Sequence, residues 1–342
     1  MIYEYKGAAE DFFGLVKCNI KSNEFIRKEL KISDLKIDGK TIIVLSGNNT
    51  KNPVKASSYA GCCFAWLEDY SFFDTTNSYC IYYPSSQPLL NSMKPNPAFN
   101  YDALADIVFD QILYKNGKVR SVKKITDTLG EVVFFGHSMG GFVMDELMER
   151  LEGKLRKENF SEPNIDKVFS SIVFVGYAPY TLVKKPINSV YVTPIYDSVG
   201  SIKLVLERFK KNTGVISSEP KLNISSIYKV AQSSQENFIR RYKNAIDDQD
   251  IIYFLDKRTL VATPNLMYDD GIKEDHNLAG VINYSTKNLN KTEAGEVATK
   301  FMKDVFRYSM SIERKDFSVK DLYFEEIQDV MVKKEKNNSI KE

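Results

Sequence analysis

The stretch Glu131-Val-Val-Phe-Phe135, followed without a spacer by Gly136-His-Ser-Met-Gly-Gly141, decides the fold of this chain. The apolar run before the glycines predicts a buried strand. After them, Val143, Leu147 and Leu151 recur every four positions, so an amphipathic helix is predicted. Its other, solvent-facing side is expected to carry the charged residues Asp145, Glu146, Glu149 and Arg150. A strand, a tight turn and a helix are therefore expected in direct succession.

The same alternation of strand and helix patterns extends along most of the chain. Apolar runs bounded by turn formers predict strands, and helical spacing of apolar residues predicts the helices between them. Strands are predicted at Thr41–Leu45, Ser78–Tyr83, Ser170–Val175, Ser189–Thr193, Ile251–Leu255 and Thr259–Ala262, the last two as a candidate hairpin, and further helices at Tyr59–Tyr70, after Asn100 and at Thr292–Met310. This order predicts an α/β protein with a mostly parallel central sheet and helices on both faces.

A single domain is expected to span residues 1–310. Within it, residues 201–250 are polar with a helical pattern, and this insertion is a candidate cap over a site. Residues 311–342 are rich in charge and are expected to form a solvated C-terminal helix or tail.

Bulk composition excludes several classes of function. With 47 Lys and Arg against 45 Asp and Glu, the net charge of +2 gives no electrostatic case for a nucleic-acid partner. The start of the chain lacks the pattern of a signal peptide, and no apolar run reaches the ~20 residues of a membrane span. A cytoplasmic protein is expected, with peripheral membrane contact left open. Its cysteines, Cys18, Cys62, Cys63 and Cys80, are expected to be reduced and mostly buried.

The Gly-x-Ser-x-Gly pattern around Ser138 carries the chemistry. Composition alone would supply roughly 0.1 copies of it in a chain of this length, and the strand and helix around it are the setting that a nucleophile elbow requires. Small flanking residues let the turn adopt a strained backbone, and the helix start offers N–H groups to an oxyanion, the Met139 N–H first. The alternative is a glycine-rich turn with an idle serine.

The hexapeptide from Gly136 to Gly141 resembles the elbow of lipases and esterases, and from about Thr41 to His276 the chain resembles an α/β-hydrolase. That family also contains thioesterases, acyltransferases and some peptidases. The resemblance implies a Ser-His-Asp triad in which the histidine comes last along the chain.

A serine nucleophile needs a base, and histidine suits it near neutral pH. The sequence has two histidines. His137 lies within the elbow, where it is expected to point away from the serine hydroxyl and to pack beside the site. His276, in a loop beyond the last predicted strands, is therefore the predicted base.

Asp197 is the predicted acid, because it follows the second strand after the elbow. The segment Tyr196-Asp-Ser-Val-Gly200 is similar to an acid-bearing segment in a branch of bacterial α/β-hydrolases that includes phospholipase effectors. Asp256, Asp269 and Asp270 remain rivals, since all three lie nearer His276 in sequence.

The second oxyanion donor is expected from the loop after Leu45, since the loops after Leu45, Phe135 and Thr193 should face one common site at the carboxyl ends of the strands. The Asn48 N–H is the predicted donor and the Gly47 N–H its substitute; an ordinary strand-end turn is the alternative.

These residues predict a serine esterase or lipase-like hydrolase that acts through an acyl-enzyme, with a small-molecule or lipid acyl ester as substrate. No metal or organic cofactor is required by this mechanism. A thioesterase or acyltransferase with the same triad is the second interpretation, and a binding protein with a vestigial site is the third.

Overall fold

The computed structural model describes residues 9–21, 24–48, 50–57, 59, 77–84, 88, 96, 99–192, 228–229, 251–256 and 259–263. Outside these ranges lie the predicted base His276, the predicted acid Asp197 and its rivals Asp269 and Asp270. The predicted helices at 59–70 and 292–310 are also outside them, apart from residue 59, as are the tail at 311–342 and all of the 201–250 insertion except residues 228–229.

The described chain alternates strands and helices, with two short 3-10 turns near its start. The strands are β1 (Gly14–Lys21), β2 (Glu24–Lys31), β3 (Thr41–Leu45), β4 (Asn77–Tyr82), β5 (Tyr114–Lys115), β6 (Lys118–Val119), β7 (Val132–His137), β8 (Val173–Tyr177), β9 (Asn188–Val192), β10 (Tyr228–Lys229), β11 (Ile251–Asp256) and β12 (Thr259–Thr263). The helices with bounds inside the described ranges are α1 (Tyr101–Leu113), α2 (Val122–Leu129), α3 (Gly140–Lys157) and α4 (Glu162–Phe169). Residues 53–57 and 59 are also helical, so helix is already present before the predicted start at residue 59.

Within the described ranges, every strand except β5 and β6 joins one mixed sheet, in the order β10-β11-β12-β9-β8-β7-β3-β4-β1-β2. The strands from β12 to β4 in that order are all parallel. Antiparallel strands extend the sheet on both sides, β1 and β2 beyond β4, and β11 and β10 beyond β12. The predicted mostly parallel sheet is confirmed.

The strand order reverses between β3 and β7. The chain places β4 on one side of β3, then returns to add β7, β8 and β9 one after another on the other side. In such sheets a crevice opens at the carboxyl ends of the strands where the order reverses, and ligands bind there. Leu45, the last residue of β3, is paired with Gly136 near the end of β7, so the loops after both strands begin at this crevice.

The core lies between the helices and one face of the sheet. Ile43, Phe134 and Phe174 are side by side in the strand register and fully buried, and helices α1 to α4 all contribute to the same cluster. The alternating residues Val44 and Phe135 are also completely buried, so the second face is covered as well. Burial on both faces is usual for parallel strands, which explains why their sequences are continuously apolar.

Most predicted elements appear close to their expected bounds. The strand at Thr41–Leu45 matches fully, and the hairpin formed by β11 and β12 is confirmed. The helix expected after Asn100 begins at Tyr101, and the Asn100 side-chain oxygen accepts a hydrogen bond of 3.0 Å from the Ala103 N–H as its N-cap.

The strand predicted at Ser170–Val175 was placed too early, since β8 begins at Val173. Ser170 is the C-cap of α4, and the Ser171 hydroxyl donates a 2.7 Å hydrogen bond to the Val168 carbonyl. Serine hydroxyls that bond to the preceding helical turn compete with strand pairing. The β1–β2 hairpin and the helices α2 and α4 were not predicted.

Candidate active site

Ser138 directly follows β7 and lies two residues before α3 begins. Its backbone φ is +52°, in the left-handed region that costs an L-residue about 1–2 kcal/mol. Such strain persists only where the surrounding structure imposes it, and it is common at functional sites. The strained turn expected from the sequence is therefore confirmed, with Ser138 7% exposed.

Three backbone hydrogen bonds hold Ser138 in this conformation. Its N–H donates to the Tyr177 carbonyl at 3.0 Å. Its carbonyl accepts from the Gly141 N–H at 3.2 Å and from the Tyr180 N–H at 2.7 Å. The first bond ties the turn to β8, and the last ties it to the loop that follows β8.

The glycines of the turn allow close approach on every side. A Cβ atom added to Gly136 would lie 2.8 Å from Cζ of Phe174, and one added to Gly141 would lie 2.9 Å from the Thr181 carbonyl oxygen. At Gly140 an added Cβ would overlap the Leu45 carbonyl oxygen at the end of β3. Only residues without a side chain let α3 begin so close to β3.

The loop after β3 lies against the turn, as the sequence predicted. A Cβ added to Gly47 would lie 2.5 Å from Nδ1 of His137 and 3.4 Å from Cβ of Ser138. The Gly47 backbone is therefore in contact with the elbow, and Asn48 is the next residue of the same loop. The structure brings together Gly47, Ser138 and Met139, three of the predicted site residues.

The start of α3 provides the electrostatic setting for Ser138. Met139 is the N-cap residue of this helix, and within the described ranges its N–H has no hydrogen-bond acceptor. Helix N-termini carry partial positive charge. An N–H in this position can donate a hydrogen bond to an oxygen that becomes negatively charged on a group bound to Ser138.

His137 is a packing residue beside Ser138. Its side chain is 4% exposed and stacks on Tyr59, with ring centroids 5.1 Å apart and an interplanar angle of 29°. On another side its ring centroid lies 6.3 Å from that of Tyr177, with an interplanar angle of 37°. The predicted packing role is confirmed, and the His137 ring packs against these two aromatic rings and Gly47.

Three buried polar side-chain atoms in the loop after β3 have no hydrogen-bond partner among the described residues. These atoms are Ser46 Oγ, Asn48 Oδ1 and Thr50 Oγ1. Buried polar atoms are usually paired, so each such atom calls for an explanation. Because this loop approaches Ser138 at Gly47, these polar groups are suited to contact a bound molecule or water, and the sequence pattern did not reveal this property of the loop.

Asp145 on α3 corrects one expectation. The helical pattern assigned it to the charged, solvent-facing side, but it is 1% exposed. Its Oδ1 accepts a 2.8 Å hydrogen bond from the Lys184 N–H, and its Oδ2 lies 3.2 Å from the Lys184 ammonium. Burial raises the pKa of the Asp145 carboxyl, and the Lys184 N–H and ammonium oppose that rise. No local pattern indicates this pair, because Lys184 is remote along the chain.

Two further strands end at the edge of the sheet where Ser138 lies. Val192, the last residue of β9, is level with Tyr177 of β8 and with Ala262 near the end of β12. The chain segment that continues to Asp197 therefore starts at this edge, after Val192. The segment that continues to His276 starts at the same edge, after Thr263. The positions of Asp197 and His276 themselves lie outside the described residues.

Asp256 lies at the opposite end of the parallel strands from Ser138. It is the last residue of β11, which runs antiparallel to β12, and it pairs with Thr259. Thr259 in turn is level with Ser189, near the amino end of β9. Topology thus removes Asp256 from the rivals for the triad acid and leaves Asp197, Asp269 and Asp270.

No protein-family model matches the sequence, and no curated protein matches it. In the part of the chain that the structure describes, no helix is long and apolar enough to span a membrane. The same residues contain no group of three or more His, Cys, Asp or Glu side chains that could hold a metal ion. Function is therefore inferred from the residues and geometry around Ser138.

Proposed function

We propose that this protein is a serine hydrolase of the α/β-hydrolase fold that cleaves carboxylic esters with Ser138 as its nucleophile. The observation that carries the proposal is the φ of +52° at Ser138, in a turn between a central parallel strand and a helix N-terminus. The turn also lies where the strand order reverses, which is the usual ligand site of such sheets. An idle serine would gain nothing from the backbone strain.

In the proposed mechanism, Ser138 Oγ attacks the ester carbonyl while His276 takes its proton, and Asp197 orients the imidazole. The carbonyl oxygen becomes an oxyanion, stabilised by the Met139 N–H and by the Asn48 or Gly47 N–H. The tetrahedral intermediate expels the alcohol, which receives the proton from His276. Water then attacks the acyl-enzyme with His276 as base, and the carboxylic acid is released.

The arrangement of strands supports the roles of the two residues from the C-terminal half. The chain segments leading to Asp197 and to His276 both start from the edge of the sheet that carries Ser138. The order nucleophile, acid, histidine along the chain is the one used on this fold. With His137 packed between aromatic rings, His276 is the histidine available for proton transfer.

A fluorophosphonate probe tests the nucleophile, because it reacts covalently with activated serines. Wild-type protein should be labelled at Ser138, and both Ser138→Ala and His276→Ala should abolish labelling while circular dichroism remains unchanged. Folded wild-type protein that resists the probe would contradict the proposal. Labelling that persists in Ser138→Ala would place the reactive group elsewhere.

The acid is tested by comparing Asp197→Asn with Asp270→Asn. Loss of correct imidazole orientation should lower ester turnover by about 10⁴-fold, as in triads where this change has been made. Near-normal turnover in Asp197→Asn, with loss in Asp270→Asn, would transfer the role to Asp270. A panel of p-nitrophenyl esters of increasing chain length, phospholipids and acyl thioesters would separate an esterase from a lipase and from a thioesterase.

A further inference from the structure

The loop between β8 and β9, residues 178–187, lies along the first turns of α3. It begins at Ala178, whose N–H donates a 2.7 Å hydrogen bond to the Val192 carbonyl, and residues 178–183 are buried. We call this segment the buttress loop. It contacts the helix close to the nucleophile, because a Cβ on Gly141 would lie 3.0 Å from Cβ of Pro179.

The buttress loop holds the nucleophile directly. The Tyr180 N–H donates to the Ser138 carbonyl at 2.7 Å, the shorter of the two hydrogen bonds that this carbonyl accepts. A residue with a positive φ relaxes unless its surroundings oppose it. The position of the Tyr180 N–H therefore bears on the direction in which the Ser138 hydroxyl points.

A single buried carboxylate anchors the buttress loop to α3. Asp145, seven residues after Ser138, binds both the backbone N–H and the side-chain ammonium of Lys184. The helix that starts at the nucleophile thus also carries the anchor of the loop that braces the nucleophile. Loss of the carboxylate charge would leave the half-buried Lys184 ammonium with the more distant Glu149, at 3.8 Å.

We propose that Asp145 is a positioning residue for the nucleophile: by binding Lys184 it keeps the buttress loop against α3, and so keeps the Tyr180 N–H on the Ser138 carbonyl. This inference rests on the proposed function of Ser138. Asp145 does not touch the substrate; it acts through Lys184 and Tyr180. Its removal should slow the reaction of Ser138 in protein that is still folded.

Lys185 provides a matched control on the same loop. Its ammonium lies 3.2 Å from Glu149 and is also paired with Glu152, so it too joins the loop to α3, by partly exposed ion pairs. These contacts are farther along the helix from Ser138 and do not involve Asp145. A general loss of loop stability would appear in Lys185→Met as well, whereas a positioning effect would not.

The test compares wild type, Asp145→Asn, Lys184→Met, Lys184→Arg and Lys185→Met. The second-order rate of fluorophosphonate labelling at Ser138 is measured below the unfolding temperature of every variant, and thermal midpoints are recorded in parallel. Because a small misplacement of a reacting group can cost orders of magnitude in rate, labelling should slow by about tenfold or more in Asp145→Asn and Lys184→Met. Lys184→Arg keeps the cation and should restore most of the rate, and Lys185→Met should label within about twofold of wild type.

The outcomes are distinguishable. If the wild type is labelled and Asp145→Asn is labelled equally fast, the inference is wrong and the proposed function stands, even when the thermal midpoint falls. If the wild type is not labelled, the proposed function fails and the inference fails with it. If Asp145→Asn does not fold, Lys184→Met decides, and a wild-type rate in that variant overturns the inference.

Discussion

At Ser138 the chain holds an L-residue at a backbone φ of +52°, tied through its N–H to Tyr177 at the end of β8 and through its carbonyl to Gly141 of α3 and Tyr180 of the loop after β8. The glycines on both sides of it leave room for the surrounding backbone to approach. Ala178, which begins the neighbouring loop after β8, also has a positive φ, +44°, but the strain at Ser138 can be measured by substitutions at Ser138 itself.

Ser138→Gly should be more stable than Ser138→Ala by about 1 kcal/mol, because glycine adopts positive φ without the steric cost that alanine retains. Both variants lose the hydroxyl, so neither should react with a fluorophosphonate. Chemical denaturation with a common m-value measures the difference. An alanine variant as stable as the glycine variant would mean that the turn stores no strain.

Gly47→Ala should impair the reaction strongly. Its Cβ would meet the His137 ring, which cannot easily move because Tyr59 and Tyr177 pack against it, so the loop carrying the proposed oxyanion donor must shift. We expect ester turnover to fall by about 10²-fold, the effect of losing one oxyanion donor.

Gly39→Ala is the control for Gly47→Ala at the other end of the same strand, since Gly39 precedes β3 and has open space around it. Its φ of +65° means that alanine there should cost about 1 kcal/mol of stability, with the folded protein keeping its activity. Equal activity loss in both variants would show that stability, not the site, is responsible.

On the scale of elements, the start of α3 is pressed against the end of β3. Gly140 lies so close to Leu45 that the two elements could not approach further. The same helix packs against α1 and belongs to the main hydrophobic core. The site is thus built where a helix N-terminus, a strand end and a loop meet with no side chain between them.

Gly140→Ala should destabilise the protein by about 2 kcal/mol, because overpacking forces α3 away from β3. Gly153→Ala on the same helix, where an added Cβ meets nothing within 4 Å, should instead stabilise by about 1 kcal/mol through helix propensity. Denaturant midpoints measure both. A neutral Gly140→Ala would mean that the helix can slide along the sheet at little cost.

On the scale of the whole molecule, both faces of the sheet are buried at β4, β3, β7, β8 and β9, and Leu15, Val16 and Cys18 of the neighbouring β1 are buried as well. Cys18 on β1 and Cys80 on the adjacent β4 are free thiols within this interior, as predicted for reduced, buried cysteines. Cys62 and Cys63 lie outside the described residues. Burial raises the pKa of Cys18 to about 12 and raises that of Cys80 well above its usual range.

Cys18 and Cys80 should therefore resist alkylation in the native protein at pH 8, since the thiolate is the reactive form and the sheet excludes the reagent. Both should react rapidly once denaturant unfolds the chain. Peptide mass mapping after iodoacetamide treatment follows each cysteine separately. Fast native alkylation of Cys80 would indicate that the β1–β4 side of the sheet opens without global unfolding.

Local patterns in the sequence were sufficient for the parallel strands, the helix after Asn100 and the turn at Ser138. In each case the deciding interaction is local, such as the Asn100 cap or the need for small residues around one turn. The start of β8 was misjudged because the hydroxyl of Ser171 extends the preceding helical turn. The buried state of Asp145 was misjudged because its partner is Lys184, on a different part of the chain.

The sequence alone was enough to predict the α/β class, Ser138 as the candidate nucleophile and the small residues around it, because these depend on periodicity and on steric demands within a few residues. The order of strands is visible only in the folded chain, and it places Gly47 against Ser138 and Asp256 at the opposite end of the strands. The tertiary structure also decided that Asp145 pairs with Lys184 instead of facing solvent. Such relations join residues that are far apart along the chain, and they follow from how strands pair and helices pack, which no local pattern records.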